Sequence, residues 1–230
     1  ATTEEASGAI TITRSPASGT IKQGDTVTFS ATATVTPSGG TATAATMSNV
    51  NWSVSGTGST GTPSGNDYVV TVGSAAFTVT CTANLSATPQ GSETPVTVAD
   101  ASQTTDQIAV LSNQGAFEAA AKTVTYQDRT YNVTGTSGNY SVSIEKFAND
   151  PDFSASNLNV AVTGYNDAAK NVSYSSNILT VKASNVADAP SVNITVNKTD
   201  VSGQTLTIDK GDSITLYAGQ QVELTATYSR

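Results

Sequence analysis

The chain has 230 residues, of which only 12% are charged against about 25% in an average domain, and its net charge is −8 with no histidine. That balance excludes a nucleic-acid partner, because phosphate contacts need clustered Lys and Arg, and here the basic residues are scattered singly. A lone cysteine excludes an internal disulfide, and with no apolar run near the ~20 residues that span a bilayer, no membrane insertion is expected.

Period-2 alternation of apolar and small polar residues is the dominant signal along the chain. Ile10 and Ile12 share one face of a first strand that Ser15-Pro16 ends. Val27, Phe29, Ala31, Ala33 and Val35 form the apolar face of a long second strand, followed by a turn at Pro37-Ser-Gly-Gly40. Val50, Trp52 and Val54 alternate next, then Tyr68 to Val72, then Phe77, Val79 and Cys81, and lastly Val96 and Val98. A strand with one apolar face must pack it against another sheet, so residues 1–99 read as a β-sandwich.

The alternation breaks over residues 100–115, which read as a linker. A helical turn or two fits Ala116 to Lys122, while Ile108 to Leu111 suits a strand. Residues 116–186 then resume the β pattern as a second module. Val124 and Tyr126 face Tyr131 and Val133 across a tight turn, and Tyr140-Val142-Ile144, Leu158-Val160-Val162, Val172-Tyr174 and Leu179-Val181 follow. A second linker occupies 187–190, where Pro190 discourages helix just before the next strand.

From Ser191 a third module opens. Thr20-Ile-Lys-Gln-Gly-Asp-Thr-Val-Thr-Phe29 recurs as Thr207-Ile-Asp-Lys-Gly-Asp-Ser-Ile-Thr-Leu216, with five positions identical and the apolar slots in step. A rival register aligns Gly219 to Thr227 with Gly24 to Thr32. Either way residues 191–230 supply only opening strands, so the last module is incomplete. Such strands leave edges unpaired. They belong to a longer rod, or they complete a neighbouring sheet by self-association or strand donation.

Three segments carry a family resemblance: Gly24-Asp-Thr-Val-Thr-Phe-Ser-Ala-Thr32, Val50-Asn-Trp-Ser-Val54 and Phe77-Thr-Val-Thr-Cys-Thr82. Together they resemble bacterial immunoglobulin-like domains of the invasin and intimin type, found in surface adhesins and in phage tail and capsid proteins. The resemblance implies tandem Ig-like sandwiches, with Trp52 and Cys81 in the strand-C Trp and strand-F Cys positions. Phe29 or Ala31 stands where the first Cys of that pattern would be, so the sandwich relies on packing alone. The likeness spans residues 8–99 and part of 191–230, while the middle module shares only the alternation.

Candidate chemistry is sparse. Without histidine the commonest general base, the serine-protease type of triad and most zinc sites are absent. The densest oxygen-ligand cluster is the loop Phe147-Ala-Asn-Asp-Pro-Asp-Phe153, where Asn149, Asp150 and Asp152 lie close together. Calcium takes about six to eight oxygens, more than this loop offers, so no metal or cofactor is expected. Residues 116–186 hold eight of the fourteen aromatics. Most share parity with core Val and Ile, which leaves Phe147, Phe153 and Tyr165 at strand ends or in loops, where ligand contacts would lie. Cys81, beside Phe77 and Val79, reads as a small buried hydrophobe.

The reading is therefore an all-β chain of tandem Ig-like modules without enzymatic activity. It serves as a structural or spacer segment of an extracellular surface, pilus or virion protein, in adhesion or assembly. Two alternatives stay open: a glycan- or host-protein-binding module acting through Phe147, Asn149, Asp150, Asp152, Phe153 and Tyr165, and an accessory region of a secreted enzyme.

Overall fold

The computed structural model describes residues 5–166, 170–201, 205–211 and 213–229. The fold is all-β, with one short helix among these residues. It divides into two compact units: Ala1–Ala119 with Val186–Pro190, and Ala120–Asn185 with Ser191–Arg230. No helix of the described residues is long and apolar enough to cross a membrane.

Unit 1 is built on β1 (Ser7–Ser15), β3 (Thr26–Thr36), β4 (Thr43–Ser55), β5 (Thr60–Ser64), β6 (Asp67–Thr71), β7 (Thr78–Ala87) and β8 (Val96–Thr104). β3 takes β1 on one edge, and on the other β6 near its start and β4 near its end. β5 extends the sheet beyond β6, while the rest of β4 pairs with β7 and β7 with β8. One antiparallel ribbon thus curls on itself and buries Val27, Phe29, Val70, Phe77, Val79 and Cys81 in a single core. Phe29 meets Phe77 edge to face, with ring centroids 6.2 Å apart. Trp52 lies opposite Cys81 in the β4–β7 register and stacks on the Tyr68 ring at 5.5 Å. Gly61 of β5 makes room for that ring, since a Cβ there would fall 2.0 Å from Tyr68 Cζ.

Two phase changes in the alternation are β-bulges. In β4 the register shifts between Ser48 and Asn51, with Asn49 at φ 53°, so Ala45 and Met47 face the same side as Val50 and Trp52. In β8 the shift is matched by Asp100 at φ 52°, whose N–H donates to Asn84 Oδ1 at 3.0 Å. A bulge adds one residue to one strand and so restores the inward face after a slip of phase. The expected linker over 100–115 is therefore replaced by structure. β8 runs on to Thr104, Phe77 bridges Ile108, β9 (Val110–Leu111) pairs in parallel with β2 (Ile21–Lys22), and α1 spans Asn113–Ala119. The short connection at 187–190 also belongs to unit 1, where Gln23 Nε2 donates to Asp188 Oδ2 at 2.8 Å.

Unit 2 has two main sheets. β10 (Lys122–Tyr126) lies between β11 (Arg129–Asn132) and β14 (Asn159–Val162). The other sheet runs β12 (Thr134–Thr136), β13 (Asn139–Phe147), β17 (Ser191–Val201), β16 (Ile178–Ala183), β15 (Lys170–Ser175). The hairpins β10–β11 and β15–β16 turn on Gln127-Asp128 and Ser176-Asn177, all at positive φ. That is the twist a two-residue hairpin loop requires. Tyr126, Tyr140, Val142, Ile144, Leu158, Val160, Leu179 and Val181 are buried, as their parity anticipates.

The strand expected to open a third module is instead β17, which has a partner on each edge inside unit 2. It runs parallel to β13 and antiparallel to β16, and Val192, Ile194 and Val196 are buried. The two partners overlap at Ile194 and Thr195, with β16 flanking Ser191–Thr195 and β13 flanking Ile194–Val201. Beyond β17, among the described residues, β18 (Thr205–Ile208) pairs only with β19 (Ala226–Ser229), and those between them lie in no strand.

Candidate functional site

The loop after β13 is tied down from several sides. Phe147 is only 2% exposed, its ring spent on the core. Its N–H donates to Asp150 Oδ2 at 3.0 Å, and the Asp150 N–H donates back to the Phe147 carbonyl at 3.0 Å. This reciprocal pair is a side-chain-closed turn, in which Asp mimics a backbone acceptor. The Tyr126 hydroxyl donates to the Pro151 carbonyl at 2.9 Å, and Asn157 Nδ2 donates to the Asp152 carbonyl at 2.7 Å. The buried Lys146 places its Nζ 3.5 Å from Asp152 Oδ1, at the foot of an otherwise exposed carboxylate.

The loop aromatics are similarly engaged. Phe153 is half-buried, with its ring edge to face against Tyr126 at 4.9 Å and against Tyr174 at 6.3 Å. Tyr165 is half-buried, and its N–H donates to the Val162 carbonyl at 2.9 Å. Asn149 is exposed on the same loop. The structure thus brings Phe147, Asn149, Asp150, Asp152 and Phe153 into one short turn, but presents neither phenyl ring whole to solvent. Burial pushes the Tyr174 phenol above its ordinary 10.0, and its hydroxyl reaches Asn177 Oδ1 at 3.2 Å. Among the described residues no three His, Cys, Asp or Glu side chains gather to hold a metal ion.

Chemically, this arrangement anchors a loop. One Asp150 oxygen accepts a backbone N–H, and Asp152 has a lysine beside it. In unit 1, burial pushes the Cys81 thiol above its ordinary 9.0, which keeps it protonated and unreactive.

The sequence reading passed over Arg14. It follows Gly8, Ile10 and Ile12 on the β1 face turned toward the core. Its Nη1 is shut off from solvent and has no hydrogen-bond partner. The side chain borders a cavity of about 880 Å³ within unit 1. The signal was available in the sequence: a charged residue in an apolar parity class. Comparisons with family models, with curated proteins and with solved structures return no match to this chain.

Proposed function

We propose that this chain is a non-enzymatic structural segment built from Ig-like modules, serving adhesion or assembly in an extracellular surface, pilus or virion protein. The observation that carries the reading is the strand pairing of unit 1. β1, β3, β6 and β5 neighbour one another on one side, and β4, β7 and β8 on the other. An Ig constant-type sandwich pairs its strands in the same order, A-B-E-D and C-F-G. Trp52 opposite Cys81 fits the core pair of that pattern, with Phe29 on the strand where a first cysteine would stand.

The assembly part rests on the segment between β18 and β19. Leu216 is 50% exposed, Tyr217 76% and Leu224 54%, in a stretch that no described strand covers. Large apolar side chains left exposed within one short stretch of chain suit a contact with another chain.

Light scattering on the chain and on a Leu216→Asp/Leu224→Asp variant tests this. The expected outcome is a species heavier than 23.3 kDa for the native sequence and a monomer for the variant. A native chain that stays monomeric at every concentration would remove assembly through this segment from the proposal.

A further inference from the structure

We infer, on the assembly reading just proposed, that the free edge of β1 in unit 1 receives the segment Asp212–Leu216 of a second copy as an added antiparallel strand. Among the described residues β1 pairs only with β3, so its other edge keeps a row of unpaired N–H and C=O groups. β8 approaches that edge at one end, where a Cβ on Gly8 would fall 3.1 Å from Val98 Cγ1. From Ile10 to Arg14 the edge instead borders the cavity of about 880 Å³, which is open to solvent and also bounded by Gln103 to Leu111. Five successive residues of β1, from both of its faces, line this space, as they do when a slot runs along a strand edge. Such a slot offers backbone partners and alternating side-chain positions, which is what an extended segment needs.

The occupant follows from the repeat and from charge. Asp212-Ser-Ile-Thr-Leu216 is the counterpart of Asp25-Thr-Val-Thr-Phe29, whose last four residues begin β3, the strand that pairs antiparallel with β1. Laid antiparallel on the free edge, the segment sets Leu216 beside Ile10, Ile214 beside Ile12 and Asp212 beside Arg14. Thr215 then faces Thr11, and Ser213 faces Thr13, on the outer side. Apolar, threonine and opposite-charge pairs across strands each stabilise a sheet. A parallel strand through the same Ile12–Ile214 pair would set Asp212 beside Ile10 and Leu216 beside Arg14, so charge selects the antiparallel one. Ile214 and Leu216 are 39% and 50% exposed, and the exposed large hydrophobic side chains of the described residues all fall between Ile208 and Leu224. Asp212 lies outside the described residues and enters by its place in the sequence.

Arg14 is half-buried and forms no ion pair with any described residue. Only its Nη1 is sealed from solvent, so the rest of the guanidinium is open to a carboxylate arriving along the edge. A charge turned inward at an edge normally keeps other strands away, and here it admits a strand that brings an acid to the same place. Asp106, the other charged residue on the lining, is exposed, so solvent and salt screen its repulsion of Asp212. In the separate chain Ile214 and Leu216 lie in no strand, and they gain one only on association.

The test begins with light scattering on the native chain, since a monomer at every concentration would remove the assembly reading and this contact with it. Where chains associate, Thr11→Cys and Thr215→Cys chains are mixed and mildly oxidised, with the buried Cys81 left in place. Directly opposed residues of paired strands lie within reach of a disulfide. The crosslinked heterodimer is therefore expected to exceed, by about tenfold or more, that formed between Thr215→Cys and Thr62→Cys on the outer edge of β5. Arg14→Asp and Asp212→Arg should each weaken association several-fold, and the two changes in one chain should restore it. If Arg14→Asp does not fold, the crosslink and Asp212→Arg decide. Association that gives no excess of the Thr11–Thr215 crosslink, or that Asp212→Arg leaves unchanged, would overturn this contact while the assembly reading stands.

Discussion

The two copies of the internal repeat share a sequence pattern and differ in nearly everything that stabilises a strand. In the first copy Gly24 sits at φ 89° in a turn closed by Asp25, whose Oδ2 accepts the Lys22 N–H at 2.8 Å. The chain then enters β3, with Val27 and Phe29 both 0% exposed. In the second copy Gly211 also takes a positive φ, 78°, and its N–H donates to the Ile208 carbonyl at 3.1 Å. There the likeness stops. Ile214 and Leu216 are exposed and lie in no strand. The turn is local, and a glycine at the right place suffices for it. The strand is not local: β3 exists because β1, β6 and β4 stand beside it. β-propensity expresses the fit to neighbours more than a backbone preference.

Removing what only the first copy has should have the largest effect. Phe29→Ala deletes a fully buried ring and is expected to destabilise unit 1 by about 3–5 kcal/mol. Urea unfolding followed by the fluorescence of Trp52, the sole tryptophan, reads unit 1 alone. Damaging a neighbour should come next. Gly61→Val drives a side chain into the Tyr68 ring, on the β5–β6 pair that flanks β3, at a cost of about 1–3 kcal/mol.

A pH series gives a smaller effect of defined sign. Burial raises the Cys81 thiol above 9.0 and the Tyr68 phenol above 10.0. Below about pH 8 both groups are essentially protonated in the folded and unfolded chain and contribute no slope. Above it the unfolded chain releases protons that the folded one retains, so stability falls as pH rises. Cys81→Ala should remove the earlier part of that decline, and an unchanged profile would show that the thiol is not held protonated by the core. The smallest effect belongs to the second copy, where Leu216→Ala should shift stability by less than about 0.5 kcal/mol. A loss comparable to that of Phe29→Ala would erase the contrast between the copies.

Much of the fold was legible because alternation names the inward face. Val27 to Val35, Val124-Tyr126 and Leu179-Val181 are buried as their parity requires. Legibility failed where the phase slipped. At Ala99-Asp100 a bulge looks, in sequence, the same as the end of a strand, so β8 seemed to stop short of Thr104. β5 escaped notice because Gly61 and Pro63 carry no strand signal; its place follows from the Tyr68 ring that needs the space. β17 was assigned to the wrong neighbours, since parity gives a face and says nothing about which strands will flank it. For the candidate loop, the cluster from Phe147 to Phe153 was readable, but its closure by Tyr126 and Asn157 depends on residues distant in sequence. Arg14 was readable in principle, as a cation in the parity class of Ile10 and Ile12.

Hydrogen–deuterium exchange resolved to single amides tests the central contrast most directly. The ladder amides of Phe29 to Val35 should exchange only through cooperative opening of unit 1, many orders of magnitude slower than an unstructured chain. Those of Ile214 to Leu224 should exchange within a factor of about ten of the unstructured rate. Comparable protection of the two copies would contradict the account, because it would mean that the second copy is held in a sheet as the first is.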